Sequence, residues 1–175
     1  MKDFEIAEWL DIANRDVHSA VLLKNGNEFT NSYYHCTQAV EKYLKAYLFK
    51  NDIKINHNHN ISETLKKCFN HNNIFSSLIV DCNKMTANVN QLRYPKVIEI
   101  TEKHIKDSFI LIDKIKNIEP IKLIFDELKE KYGDNWENVL FKKVLTIETD
   151  VSSKNKLNND TVNNSDKKEL EKNKT

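Results

Sequence analysis

Two glycines and two prolines are all the punctuation in this 175-residue chain. Turn-rich β architectures need many more of both, whereas helices do well without either. The scarcity therefore excludes a sandwich or barrel and points to an all-α chain. Cysteine is also sparse: Cys36, Cys68 and Cys82 are odd in number and lack framework spacing, which excludes a disulfide scaffold and suits a reducing compartment. No apolar run approaches the roughly 20 residues needed to span a bilayer. The opening Met1-Lys2-Asp3-Phe4-Glu5 puts charge where a signal peptide carries its apolar segment. A cytoplasmic chain without membrane association is expected. A net charge of +1 excludes a strong global field for nucleic acid and leaves only a local basic patch. Arginine is nearly missing as well: of 27 basic residues, only Arg15 and Arg93 are arginine.

What the chain does contain is helical patterning. From Phe4 to about Lys24, Ala7, Leu10, Ala13, Val17, Ala20 and Val21 recur at three- and four-residue steps, one stripe of an amphipathic helix. Asn25-Gly26-Asn27 ends it, with Gly26 expected in the left-handed position. A second helix is predicted from about Phe29 to Lys50, striped by Tyr33, Cys36, Val40, Tyr43, Leu44 and Tyr47, with Gln38, Glu41, Lys42 and Lys45 on its other side. Asn51 to Asn60 reads as a loop, and Asn60 or Ser62 as the cap of a short helix through Leu65 to about His71. A fourth segment spans about Ile74 to Leu92. After Pro95, which biases Tyr94 away from helix, a fifth is predicted from about Val97 to Asn117. Pro120 opens a further helical stretch that Gly133 breaks, and Trp136, Leu140 and Val144 mark one last short helix. Beyond Glu148 the chain turns to Asn, Lys, Asp and Ser, too polar to offset chain entropy by burial.

Short loops between long helices give antiparallel neighbours. The expected architecture is an antiparallel four- to five-helix bundle over residues 1–118, a helical extension over 119–147 and a disordered polar tail over 148–175. Helix faces left over by a thin bundle make a homodimer the expected assembly.

Four stretches carry a family resemblance. They are Trp9-Leu10-x-x-Ala13-x-x-Asp16-Val17-x-x-Ala20, the run Tyr33-Tyr34-His35-Cys36-Thr37-Gln38-Ala39-Val40-Glu41-Lys42-Tyr43-Leu44-Lys45-Ala46-Tyr47-Leu48, Asn58-His59-Asn60-Ile61, and Arg93-Tyr94-Pro95. In order and spacing they resemble HEPN domains over about residues 4 to 117. The resemblance implies a bundle that dimerises and binds nucleotide or RNA. It also implies a possible minimal nucleotidyltransferase partner on a separate chain, in a toxin–antitoxin or defence setting. Some members are ribonucleases that use Arg-x(4–6)-His. Here ten residues separate Arg93 from His104 and two separate Arg15 from His18, so neither arginine has a histidine at that spacing and a non-catalytic module is expected. Two glycines also leave no room for a nucleotidyltransferase signature in this chain.

The candidate ligand-binding set is Arg93, Tyr94, Lys42, Lys45, Gln38, Glu41 and His59. A guanidinium grips phosphate with two parallel hydrogen bonds, as lysine cannot, yet Arg93 could equally pin the fourth segment to Glu41. Gln38, Glu41, Lys42 and Lys45 share helical spacing and could line a cleft, or form a solvated face with a Glu41–Lys45 pair. His59 could carry a proton or cap the next helix. Tyr94 could stack on a base or pack in the core. The alternative function is a metal-independent ribonuclease in which His59 or His104, with Arg93, does the chemistry. His57, His59, Cys68 and His71 mix zinc-compatible donors, but not at a zinc-site spacing, so no metal or cofactor is expected. Trp136, with Phe125, Leu128 and Leu140, belongs to the extension, which either packs on the bundle or docks a partner.

Overall fold

A computed structural model describes residues 2–55, 59–92, 94 and 98–140. Its helices are α1 (Lys2–Asn25), α2 (Phe29–Lys50), α3 (Ile61–His71), a 3-10 helix (Asn73–Leu78) continuing into α4 (Ile79–Leu92), α5 (Glu102–Asn117) and α6 (Glu119–Tyr132). The described residues contain no strand. None of the described helices is long and apolar enough to cross a membrane. The chain divides into two units, residues 1–134 and 135–175. In the second, residues 136–140 form a helical turn. Val144 and the predicted tail lie outside the described residues.

In α2, 13 of 22 residues are buried, more than one stripe can supply, so this helix is the hub against which α1, α3, α5 and α6 pack. The pairing with α1 is antiparallel. Ser32 donates to the Ala20 carbonyl, Lys42 to Asp16 and the Tyr43 hydroxyl to Asn14, so the numbers fall on one helix as they rise on the other. Ala7, Ala13 and Ala20 of α1, and Ala39 and Ala46 of α2, are fully buried. Such small residues let helix axes approach closely. Val17 and Val21, counted in the α1 stripe, fall at its margin, and Val21 is exposed.

Caps are built with few glycines. At the end of α1 the Asn27 N–H donates to Lys24 O and the Glu28 N–H to Leu23 O, the paired bonds of a Schellman motif. The left-handed residue is Asn27, φ 60°, not Gly26 as predicted. Asparagine tolerates this region because its short amide bonds locally. The end of α2 repeats the device with Asp52, φ 57°, where Asp52 N–H meets Phe49 O and Ile53 N–H meets Leu48 O. Only Gly133, φ 82°, uses glycine for a positive φ, closing α6.

Asn60 is the cap of α3, its side chain accepting from Glu63 N–H at 3.1 Å. The fourth segment begins as 3-10 helix and turns α-helical only at Ile79. The α5 helix starts at Glu102 rather than Val97, because Thr101 is its N-cap; Val97 lies outside the described residues. From 119 onward, α6 belongs to the first unit. Its Ile121, Ile124 and Leu128 are buried, the Phe125 ring meets Tyr43 at 6.2 Å, and Lys50–Glu127 and Lys131–Asp3 pairs tie it to α2 and α1.

Candidate functional site

Helical spacing puts Gln38, Glu41, Lys42 and Lys45 on neighbouring positions of α2, but tertiary packing sends them to different partners. Glu41 and Lys45 form an ion pair of 2.5 Å with side chains only 3% and 6% exposed, and the Lys45 ammonium lies 5.5 Å from the centre of the Trp9 ring. This pair is buried, not part of a solvated face, because α2 is enclosed on that side too. Lys42 turns toward α1, where Asp16 accepts from it at 2.6 Å. The other oxygen of Asp16 meets His35 Nδ1 at 2.8 Å. Lys42 also donates to Gln38 Oε1 at 3.4 Å.

Asp16 and His35 were not singled out from the sequence. A signal existed: Asp16 sits between Ala13 and Ala20 in the apolar stripe of α1, where a carboxylate has to find a cation on the facing helix.

Between α2, α3 and α4 lies a cleft of about 260 Å³, lined by Tyr34, Gln38, Glu41, His59, Thr86 and Asn90 among others. His59 stands at its mouth, 69% exposed, with Nδ1 3.3 Å from Glu41 Oε1. A buried carboxylate that engages one ring nitrogen orients the imidazole and leaves Nε2 outward. Ser62 donates to Thr86 Oγ1 at 2.8 Å, and Thr86 in turn to the Cys82 carbonyl at 2.9 Å, which ties α3 to α4 along the floor. Leu92 also lines the cleft. Arg93, the next residue in sequence, lies outside the described residues. Tyr94 is 67% exposed, so its ring is on the surface and not in the core. Amide, carboxylate, imidazole and phenol rings around one small cleft can satisfy both donors and acceptors of a planar polar ligand.

The structure separates His104 from this group. It is in the first turn of α5, not mid-helix, and its Nδ1 accepts from the Thr101 N–H at 3.1 Å and from the Thr101 hydroxyl at 2.9 Å. That reciprocal capping arrangement is structural. His104 lines a different cavity, of about 230 Å³ between α4 and α5, with Tyr33, Asp81, Lys84, Asp107 and Lys114. There Tyr33 takes a hydrogen bond from Asn88 at 3.1 Å, and burial pushes its phenol up to about 12.

The residues of the mixed His and Cys set go separate ways. His71 Nδ1 is 2.6 Å from the Tyr47 hydroxyl, Cys68 is buried and donates to the Leu44 carbonyl, and His59 faces Glu41. His57 lies outside the described residues. Burial pushes the Cys36 and Cys82 thiols up to about 12 and raises Cys68 as well, so none is a thiolate nucleophile at neutral pH.

The family model of the HEPN domain matches residues 6–132. The chain belongs to the HEPN family. The match runs from the second turn of α1 to the end of α6, so the HEPN region includes both the α2 hub and the cleft beside it. No curated protein and no solved structure matches the chain. Membership in HEPN makes this a nucleotide- or RNA-related module.

Proposed function

We propose that this HEPN domain binds a nucleotide or single-stranded RNA at the α2–α3–α4 cleft and does not cut it. The observation that carries this reading is the cleft itself, where the Gln38 amide, the Glu41 carboxylate and the His59 imidazole converge around a volume of about 260 Å³, small enough for one base. In this reading Gln38 and Glu41 meet a base edge, Tyr94 stacks, and Arg93 and His59 take phosphate. Lys42 and Lys45 act through their carboxylate partners, holding Gln38 and Glu41 in place. A homodimer, and a separate minimal nucleotidyltransferase chain as partner, complete the proposal.

Titration of ATP, GTP and a short single-stranded RNA, followed by calorimetry on wild type, Gln38→Ala and Arg93→Ala, tests it. Binding that weakens about ten-fold in each variant is expected, since each loses one charged or bidentate contact. No binding to wild type at millimolar ligand would sink the reading.

The His59–Glu41 pair favours a second reading, because an exposed imidazole oriented by a buried carboxylate is equipped as a general base. In a metal-independent ribonuclease His59 would take the 2′-hydroxyl proton and Arg93 would stabilise the phosphorane charge. RNA cleavage in EDTA that is lost in both His59→Ala and Arg93→Ala would establish it. Intact RNA with wild type leaves the binding module.

A further inference from the structure

A third cavity opens at the other end of the Glu41–Lys45 pair. Its volume is about 490 Å³, and Trp9 of α1, Lys45 and Phe49 of α2, and Ile53 and Ile55 of the following loop line it. That is the size of a small-molecule site, about twice that of the α2–α3–α4 cleft. Two aromatic rings and two branched aliphatic chains suit an apolar body. The charged groups that reach this cavity are mostly cationic. Lys45 sits against it nearly fully buried, and Lys54 lies at its edge. Asp52, the acidic member of the lining, is engaged by Lys2 at 2.6 Å.

The Lys45 ammonium has three N–H donors. Glu41 takes one at 2.5 Å, and the ammonium also faces the Trp9 ring. A head group entering beside Trp9 meets a cation already stripped of water, where a charge-assisted hydrogen bond is strongest. Glu41 is also within 3.3 Å of His59, so one carboxylate links the two cavities through Lys45 on one side and His59 on the other.

We propose that the Trp9 cavity binds a small apolar carboxylate whose head group competes with Glu41 for Lys45, so that filling this cavity strengthens the hold of Glu41 on His59 at the neighbouring cleft. The site shares Lys45, and through it Glu41 and His59, with the nucleotide reading, but its walls of Trp9, Phe49, Ile53 and Ile55 are its own, so octanoate binding is tested separately from nucleotide binding.

The test uses the full chain carrying Trp136→Phe, which leaves Trp9 as the sole tryptophan. Octanoate should change Trp9 fluorescence saturably, and octanol, the same body without charge, should bind about ten-fold more weakly. The double variant Glu41→Gln, Lys45→Met removes both charges together, and in it the two probes should bind alike. Its helical circular dichroism checks that it folds. The His59 ring resonance should move with octanoate in the parent and stay still in the double variant. Equal binding of acid and alcohol to the parent, no saturable signal, or an acid preference that survives in the double variant would overturn the site. A His59 resonance indifferent to octanoate would overturn the coupling.

Discussion

Glu41→Ala leaves the Lys45 ammonium almost wholly enclosed and without the carboxylate that compensates its charge. Both side chains of the pair are almost wholly enclosed, 3% and 6% exposed, and among the described residues the other group facing Lys45 is the Trp9 ring. Breaking a buried pair on one side costs about 3–5 kcal/mol, because the surviving charge keeps its desolvation penalty and loses its attraction. For a domain whose whole stability is about 5–15 kcal/mol, that corresponds to a melting temperature lower by roughly 10–20 °C. Removing both charges in Glu41→Gln, Lys45→Met should restore most of the loss, since an enclosed neutral pair of similar volume is often as stable as the ionic one. Urea unfolding followed at 222 nm, on wild type, single variant and double variant, measures all three. A loss under about 1 kcal/mol in the single variant would place the pair among solvated surface bridges and refute the reasoning, as would a double variant no more stable than the single.

At the end of α1, Gly26→Ala should be neutral or stabilising by up to about 1 kcal/mol, since an added Cβ would meet only ordinary contacts, the nearest at 3.5 Å. Asn27→Val should cost about 1–2 kcal/mol, and the reverse order in thermal melts would return the left-handed role to Gly26. The Lys131 hydrogen bond to Asp3, with Tyr132 adding a second, outweighs burial and holds that carboxyl below its ordinary 3.8. Its stabilisation is therefore complete above that value and is lost as pH falls through the lower folded one. Asp3→Asn should accordingly lose less stability between pH 5 and 2 than wild type in parallel urea titrations, and equal slopes would contradict this. With all three cysteines buried, a thiol reagent at pH 8 should label none until urea reaches the unfolding midpoint, whereas prompt labelling of native protein would show an open core.

The helices were legible because an apolar period is a local property. The α2 stripe from Tyr33 to Tyr47 is buried where the spacing puts it, and Asn60 caps α3 as its side-chain chemistry suggests. What was harder to read turned on choices among near-equivalent neighbours. Gly26 and Asn27 both tolerate a left-handed backbone, and only the Schellman bonds to Leu23 and Lys24 select Asn27. Likewise Val97 continues the apolar spacing of α5, yet the Thr101–His104 exchange stops the helix at Glu102.

For the site, the order of residues along α2 determined that Gln38, Glu41, Lys42 and Lys45 share neighbouring azimuths, because 3.6 residues complete a turn wherever a helix forms. The lack of glycine and proline determined the helical class, and the four motif stretches carried the family. What stands opposite each side chain is not a property of α2. Whether Lys42 meets solvent or Asp16, and whether Glu41 faces water or Lys45 and His59, depended on how α1, α3 and α4 close around it. Burial turned a nominally solvated face into an enclosed ion pair between two cavities, and only the tertiary structure decided that, because desolvation and pairing are set by elements distant in sequence.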